Sequence, residues 1–223
     1  MEYSSSVFDQ LLYYEHRAEI YDCTAGYQDE VVEQHRAPLK NLIPQYFKHR
    51  SVYEVACGTG YWTEIIAKFC KSVSAIDISE NMVKIARRRC GYLNNVQIFK
   101  GDFYRKNFIN HNFNAAFHHF WFSHIPKTEI TKFINHLHRQ LQDDSVIVMS
   151  DNIVHSTYPE YFHQSGDRYE LRTLPNGNQY RVIKNLYSPE MISDLLIKYD
   201  GNINIQISED GKMWIATYRL TKR

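Results

Sequence analysis

The stretch SVYEVACGTGYWTEIIAKF, residues 51–69, constrains the fold more than any other. A short apolar run ends at two glycines one residue apart, Gly58 and Gly60, and a helical pattern follows at once. In a chain with only nine glycines, that order builds a loop where a ligand can reach backbone N–H groups at a helix N-terminus. The alternation then continues. Ser72–Ile78 reads as a second strand, and Ser79 caps a helix over 80–90 with Glu80 in its first turn. Val96–Lys100 is a third strand, Phe113–Phe120 a fourth, 127–141 a helix, and Ser145–Asp151 a fifth strand. This order implies an α/β fold, a parallel sheet covered by helices on both faces.

After Asp151 the pattern changes. Residues 155–185 contain RTLPNGNQYRVIK, two strand-like runs around the turn Pro175–Asn176–Gly177–Asn178. Ser188–Pro189–Glu190 opens a helix. Strands near 202–208 and 213–220 are joined by a turn at Glu209–Asp210–Gly211, too short for anything but an antiparallel pair. At the other end, VFDQLLYYEHRAEIYD (7–22) reads as an amphipathic helix placed to lie over the domain as a lid, with a second helix near 29–47.

With 223 residues, 43% of them hydrophobic, the chain suits one sizeable core. A formal net charge of +1 gives no general attraction to nucleic acid or anionic membrane, so neither partner is expected. The one basic run, Lys84 with Arg87–Arg89, reads as a solvated helix face suited to the negative end of the dipole. The absence of a long apolar run or a leader pattern leads to the expectation of a soluble, unexported, cytoplasmic protein. Cys23, Cys57, Cys70 and Cys90 lack metal-site or redox spacing and read as reduced thiols. His118/His119 and His136/His138 do not share faces, so no metal site is expected. The 17 tyrosines exceed what a core needs and hint at a lined pocket.

Two ligand classes use a strand–glycine–helix loop. A dinucleotide fingerprint wants a third glycine where this chain has Thr63, and a phosphate P-loop wants Gly-Lys-Ser/Thr. Tyr61 and Trp62 are also bulky for a pyrophosphate on the first helical turn. Glu54-Val-Ala-Cys-Gly58-Thr-Gly60 instead resembles motif I of the class I S-adenosylmethionine-dependent methyltransferases, with Ala56 where the family often has a glycine. The resemblance implies a Rossmann-like sheet of seven strands, mostly parallel, closed by an antiparallel C-terminal hairpin. It implies S-adenosylmethionine (SAM) as cofactor and S-adenosylhomocysteine (SAH) as product. Asp77, 17 residues after Gly60, matches the acid that accepts both ribose hydroxyls. Asp102 and Phe103, after strand three, match the adenine contacts. Tyr14, Arg17, Tyr21, Glu54, Ala56, Gly58, Gly60, Ile78, Met82 and His119 complete the expected cofactor set.

The pieces YYEHRAEIYD (13–22), VACGTGYWT (55–63), FWFSHIP (120–126), RTLPNGNQYRVIK (172–184) and Ser188–Pro189 further resemble the small phosphonate O-methyltransferase of dehydrophos biosynthesis and its relatives. Such a resemblance carries fold and reaction better than substrate. It implies a single domain, residues 1–223: a helical lid (1–47), a cofactor-binding half (51–151), an acceptor-binding hairpin insertion (155–185) and a closing helix and hairpin (186–223). Arg172 and Lys184 are expected to face one another across the hairpin and grip an acid, the one as a planar fork and the other as a point charge. Arg181 is shared with that enzyme but should alternate to another face. Tyr27 is a candidate hydroxyl donor to the same acid. Trp121 and His124 follow strand four at the carboxyl edge of the sheet, where His124 could orient the acceptor or act as a base.

Each has a plainer reading: surface charges on a hairpin, a turn-packing tyrosine, a structural histidine. The expected reaction is O-methylation of a small phosphonic or carboxylic acid. N- or C-methylation with His124 as base, a nicotinamide-dependent oxidoreductase, and a non-catalytic SAM-binding partner protein stay open as alternatives, as does the oligomeric state.

Overall fold

Val52 and Tyr53 are neighbours on β1 (Ser51–Val55), and neither has any exposed surface. Because adjacent strand residues point to opposite faces, β1 needs cover on both sides. The computed structural model, which describes residues 5–105, 112–153, 161–164, 166–200 and 202–222, supplies it. β2 (Ser72–Asp77), β3 (Val96–Lys100), β4 (Phe113–His119) and β5 (Leu141–Asn152) run parallel to β1. The insertion contributes β6 (Tyr161–Gln164), β7 (Asp167–Thr173) and β8 (Gln179–Ile183), and the chain closes with β9 (Asn204–Ile207) and β10 (Met213–Arg219). The main sheet has the order β3-β2-β1-β4-β5-β10-β9, with β10 antiparallel to both neighbours. The expected seven-stranded, mostly parallel sheet with an antiparallel closing hairpin is therefore present.

The helices are α1 (Ser5–Arg17), α2 (Tyr21–Thr24), α3 (Glu30–His35), α4 (Ala37–Phe47), α5 (Tyr61–Ala67), α6 (Glu80–Cys90), α7 (Ile130–Arg139) and α8 (Pro189–Leu196). Leu39, Ile43 and Phe47 of α4 and Ile66 of α5 bury one face of the sheet with Val52, Val73 and Val148. Phe133 and Leu137 of α7 and Ile192 and Leu196 of α8 bury the other with Tyr53, Ile76 and Ile147. Ser79 caps α6 by accepting from Met82 N–H, with Glu80 in the first turn and Arg87–Arg89 in the last, as its sequence suggests.

Four elements differ from the sequence reading. The helix expected near 29–47 is two, because Pro38 opens α4 and Arg36 turns inward at the junction to donate to the carbonyls of Ala25 and Gly26. The first helix stops at Arg17, and a 3-10 turn, Ala18–Ile20, redirects the chain into α2. Residues 127–129 form a 3-10 turn ahead of α7. The insertion is a separate three-stranded sheet, β6-β7-β8, rather than two strands alone. The opening of that insertion, 154–160, lies outside the described residues, as do the first four residues of the expected lid.

Candidate active site

Gly58 and Gly60 both have positive φ, 55° and 77°, yet they are glycines for different reasons. A Cβ added at Gly58 meets no atom within 4 Å, whereas one at Gly60 would lie 2.9 Å from the Cβ of Ala86. Gly58 thus keeps a surface open, and Gly60 lets the start of α5 approach α6. Gly60 itself does not line the cleft, although the sequence reading sets it among the cofactor contacts. Ala56 also has positive φ, 54°, so the departure from glycine there stores strain as well as narrowing the loop.

The open side of Gly58 faces a cavity of about 900 Å³ at the carboxyl edge of the parallel strands. Tyr14, Tyr21, Ala56, Gly58, Asp77, Ile78, Met82, Asp102, Phe103 and His119 all line it, and so do Trp121, His124 and Arg181. Asp77 is anchored at both oxygens: Gly58 N–H donates to Oδ2 at 2.8 Å and Ser79 N–H to Oδ1 at 2.9 Å. Each oxygen retains a second lone pair for a hydroxyl group. Burial raises its pKa while the N–H groups of Ser79 and Gly58 pull it down. Asp102 accepts from Tyr104 N–H at 2.9 Å and pairs with Arg105 at 3.3 Å. An open glycine backbone, an anchored carboxylate one strand over and an apolar slot beside Ile78, Met82 and Phe103 fit an adenosyl group and its ribose.

Glu54 lines a second, water-sized cavity of about 20 Å³ under the same loop, with Tyr27, Cys57, Trp62 and His119. Its Oε2 is buried without a hydrogen-bond partner, and so is Nε2 of His119. Burial pushes the Glu54 carboxyl up to about 8, with Thr63 opposing the shift and Asp77 adding to it. His119 Nδ1 pairs with Ser150 Oγ at 2.7 Å.

Part of the aromatic excess lies in a run of four tyrosines. Rings pass in contact from Tyr14 to Tyr21 (6.3 Å between centroids), Tyr27 (6.1 Å) and Tyr61, where the pair is stacked at 3.9 Å. Tyr27 is therefore pinned flat between Tyr61 and the Arg36 guanidinium, 4.6 Å from its centroid, and does not line the large cavity. Arg17 also stays out of it, donating to Thr24 Oγ1 at 3.0 Å and covering the Tyr21 ring at 4.8 Å.

The expected acid clamp has a different geometry. The register of β7 and β8 sets Arg172 opposite Tyr180, and Lys184 N–H bonds to Arg168 O, so Arg172 and Lys184 do not face one another. Both are turned into the protein. Lys184 Nζ donates to Asp151 Oδ1 at 3.0 Å and Ser123 Oγ at 2.7 Å, and Arg172 donates twice to Glu170 Oε2, at 3.0 and 2.8 Å. Arg181 does alternate away, to the rim, where it pairs with Asp9 at 3.3 Å.

His124 is held from three sides. Nδ1 lies 2.5 Å from the Ile183 carbonyl, which only accepts, so Nδ1 carries the proton. Nε2 then accepts from the Tyr14 hydroxyl at 2.8 Å, and that hydroxyl accepts in turn from Arg172 Nη1 at 3.3 Å. Burial, Lys184 and Arg172 together hold the imidazole pKa well below its ordinary value. Sequence reasoning missed Gln10, which donates to His124 O and accepts from Ile183 N–H, and it missed Asp151 and Ser123. Asp151, an acid ending a strand as Asp77 does, offered a signal; Gln10 offered none.

Such a sheet order, with a glycine loop after the first strand and an anchored acid after the second, is that of the class I SAM-dependent methyltransferases. Residues 52–144 match the family described as "Methyltransferase domain". Residues 52–144 thus carry a methyltransferase domain, within a fold of the class I SAM-dependent methyltransferase type. A demethylmenaquinone methyltransferase of Staphylococcus epidermidis is 26% identical over 190 residues, covering 74% of this chain and 78% of that protein. Among solved structures, the DhpI–SAH complex is similar across 100% of both chains, with 24% identity and a TM-score of 0.78. The DhpI–SAM–HEP complex gives the same identity and TM-score over 97% of this chain and 100% of that one.

Proposed function

We propose that this methyltransferase acts on an oxygen of a small anionic acceptor, a phosphonate or a carboxylate. The observation that carries the reading is the environment of His124. Its two ring nitrogens are engaged, by Ile183 O and the Tyr14 hydroxyl, and Lys184, Arg172 and Arg17 all bear on it with positive charge. A neutral imidazole without a spare lone pair is poorly suited to removing a proton. A positive field favours an acceptor that arrives as an anion and needs no deprotonation.

SAM supplies a methyl group already activated by its sulfonium charge. The work left to the protein is to align the acceptor oxygen behind that methyl and exclude water. Trp121 and His124, at the carboxyl edge beside the cofactor cleft, are the residues assigned to shape the acceptor's place there, His124 by the face of its ring because both nitrogens are engaged. Tyr14 and Tyr21 cover the cleft. Arg172 and Lys184 act from behind the wall through their field, which leaves the attacking oxygen ungripped and nucleophilic. Arg181, at the rim, meets the acid on entry.

A carbon acceptor is the second reading, favoured by the demethylmenaquinone methyltransferases among the relatives. An acceptor screen that counts SAH formed from small phosphonates, carboxylates, amines and quinols separates the two. Turnover with phosphonates or carboxylates, and none with quinols or amines, is the expected result. Turnover confined to quinols or amines overturns the anionic reading.

A further inference from the structure

The basic run at the end of α6 is more than a solvated face. Arg89 turns inward, and one Nη donates to Asp22 Oδ2 of α2. The other Nη donates at 3.2 Å to both the carbonyl and the hydroxyl of Thr59, and the Thr59 hydroxyl donates to Asp22 Oδ1 at 2.5 Å. Asp22 and Arg89 are each about four-fifths buried, with side-chain exposures of 19% and 23%. Thr59 is the residue between the two glycines of the cofactor loop and is 1% exposed. Its neighbour Gly58 donates to Asp77, the acid assigned to the ribose.

A second carboxylate of the N-terminal segment, Glu15, accepts from Asn81 N–H and Ser79 Oγ at the opposite end of α6. The segment is thus fastened along α6 at both ends, and at one end the fastening includes the glycine loop itself. That is a specific arrangement. Tyr14 and Tyr21, which line the cleft, lie on the stretch between or beside these two anchors.

We infer that Asp22, Thr59 and Arg89 form a latch that couples the docked N-terminal segment to the cofactor loop, and that they act as positioning residues controlling how fast SAM and SAH leave. With the latch made, the loop that carries Gly58 and the segment that carries Tyr14 and Tyr21 form one wall. With it broken, the segment can lift without disturbing the sheet. The inference needs only the cofactor and is independent of the acceptor's identity.

The test is the release of radiolabelled SAM, chased with unlabelled SAH and followed by rapid filtration, with no acceptor present. Asp22→Asn is expected to raise the dissociation rate about 10- to 100-fold, the range for losing charge-assisted hydrogen bonds. The association rate should change less than about 3-fold, because among variants of one site affinity changes reside mostly in dissociation. Thr59→Val, which keeps the shape of the side chain, should act in the same direction and guards against a variant that folds poorly. The double variant Asp22→Asn/Arg89→Gln should release SAM no faster than the faster of its two single variants, since the three residues work as a unit. A lower melting temperature with an unchanged release rate in both single variants would reduce the trio to a structural contact. Additive effects in the double variant would equally overturn the latch.

Discussion

The hydroxyl of Tyr14 lies 2.8 Å from Nε2 of His124, across 110 residues of sequence, and so occupies the lone pair a general base would need. His124 stays neutral through the physiological range, because its pKa is held well below the usual one. The kcat/KM profile between pH 6 and 8 should therefore show no inflection from this residue. His124→Asn should cost less than about 30-fold in kcat/KM, roughly 2 kcal/mol, the loss of orientation alone. A thousandfold loss with cofactor affinity intact, together with a rate climbing with pH, would restore His124 as a base.

The two loop glycines should separate in experiment. Gly60→Ala forces a Cβ to 2.9 Å from Ala86 Cβ and 3.0 Å from its Cα, so the fold itself should lose stability, by about 1–3 kcal/mol. Gly58→Ala meets only open space and should lower the melting temperature less, through its positive φ alone. It should nonetheless weaken SAH binding, read by calorimetry, because its methyl group occupies the ligand's side of the loop. Equal SAH affinity in wild type and Gly58→Ala would remove that face of the loop from the site.

These glycines mark how far the sequence could be read. Period and punctuation located β1 to β5, the capped helix α6 and the closing hairpin, because each depends on residues close together in the chain. Asp77, Asp102 and His119, expected at the cleft from the family resemblance, and Trp121, expected there from its strand end, all line it. Arg172 and Lys184 fail to face each other because the turn around Asn176 and Gly177 sets Arg172 against Tyr180 and Lys184 beside Arg168, an offset that the turn's position in the sequence already carried. The other failures depend on tertiary contacts. Arg89 looked like one of three equivalent surface arginines, since nothing local reports that Asp22 lies against it. Gly58 and Gly60 carry the same letter, and only the position of Ala86 tells their purposes apart.

Glu54 makes the stability of the ligand-free protein depend on pH. Its carboxyl has a pKa of about 8 in the fold, against an ordinary 4.5. Between those values the native state holds a proton that the unfolded state releases, so stability falls as pH rises through that window. The slope is at most about 1.4 kcal/mol per pH unit for one proton. Glu54→Gln removes the titrating group and should flatten thermal melts between pH 5.5 and 7.5 relative to wild type. An identical pH dependence in the two proteins would mean that Glu54 is ionised and finds a partner in the cavity beneath the loop.

Lys184 poses the hardest test, because a loss of activity on its removal has two meanings. Its ammonium is buried against Asp151, with side-chain exposures of 4% and 1%. Lys184→Ala would leave the Asp151 carboxylate charged in the interior without a counterion, an arrangement that typically costs about 3–5 kcal/mol. Activity would fall even if Lys184 never influenced the acceptor. Lys184→Gln combined with Asp151→Asn removes both charges and retains polar groups that can hydrogen-bond, so most of the lost stability should return. In that double variant the acceptor KM should remain raised about 10-fold or more if the Lys184 field attracts an anion, while SAH affinity stays near wild type. Recovery of both stability and acceptor KM would assign Lys184 wholly to the fold. The source of the positive field around His124 would then be Arg172 and Arg17.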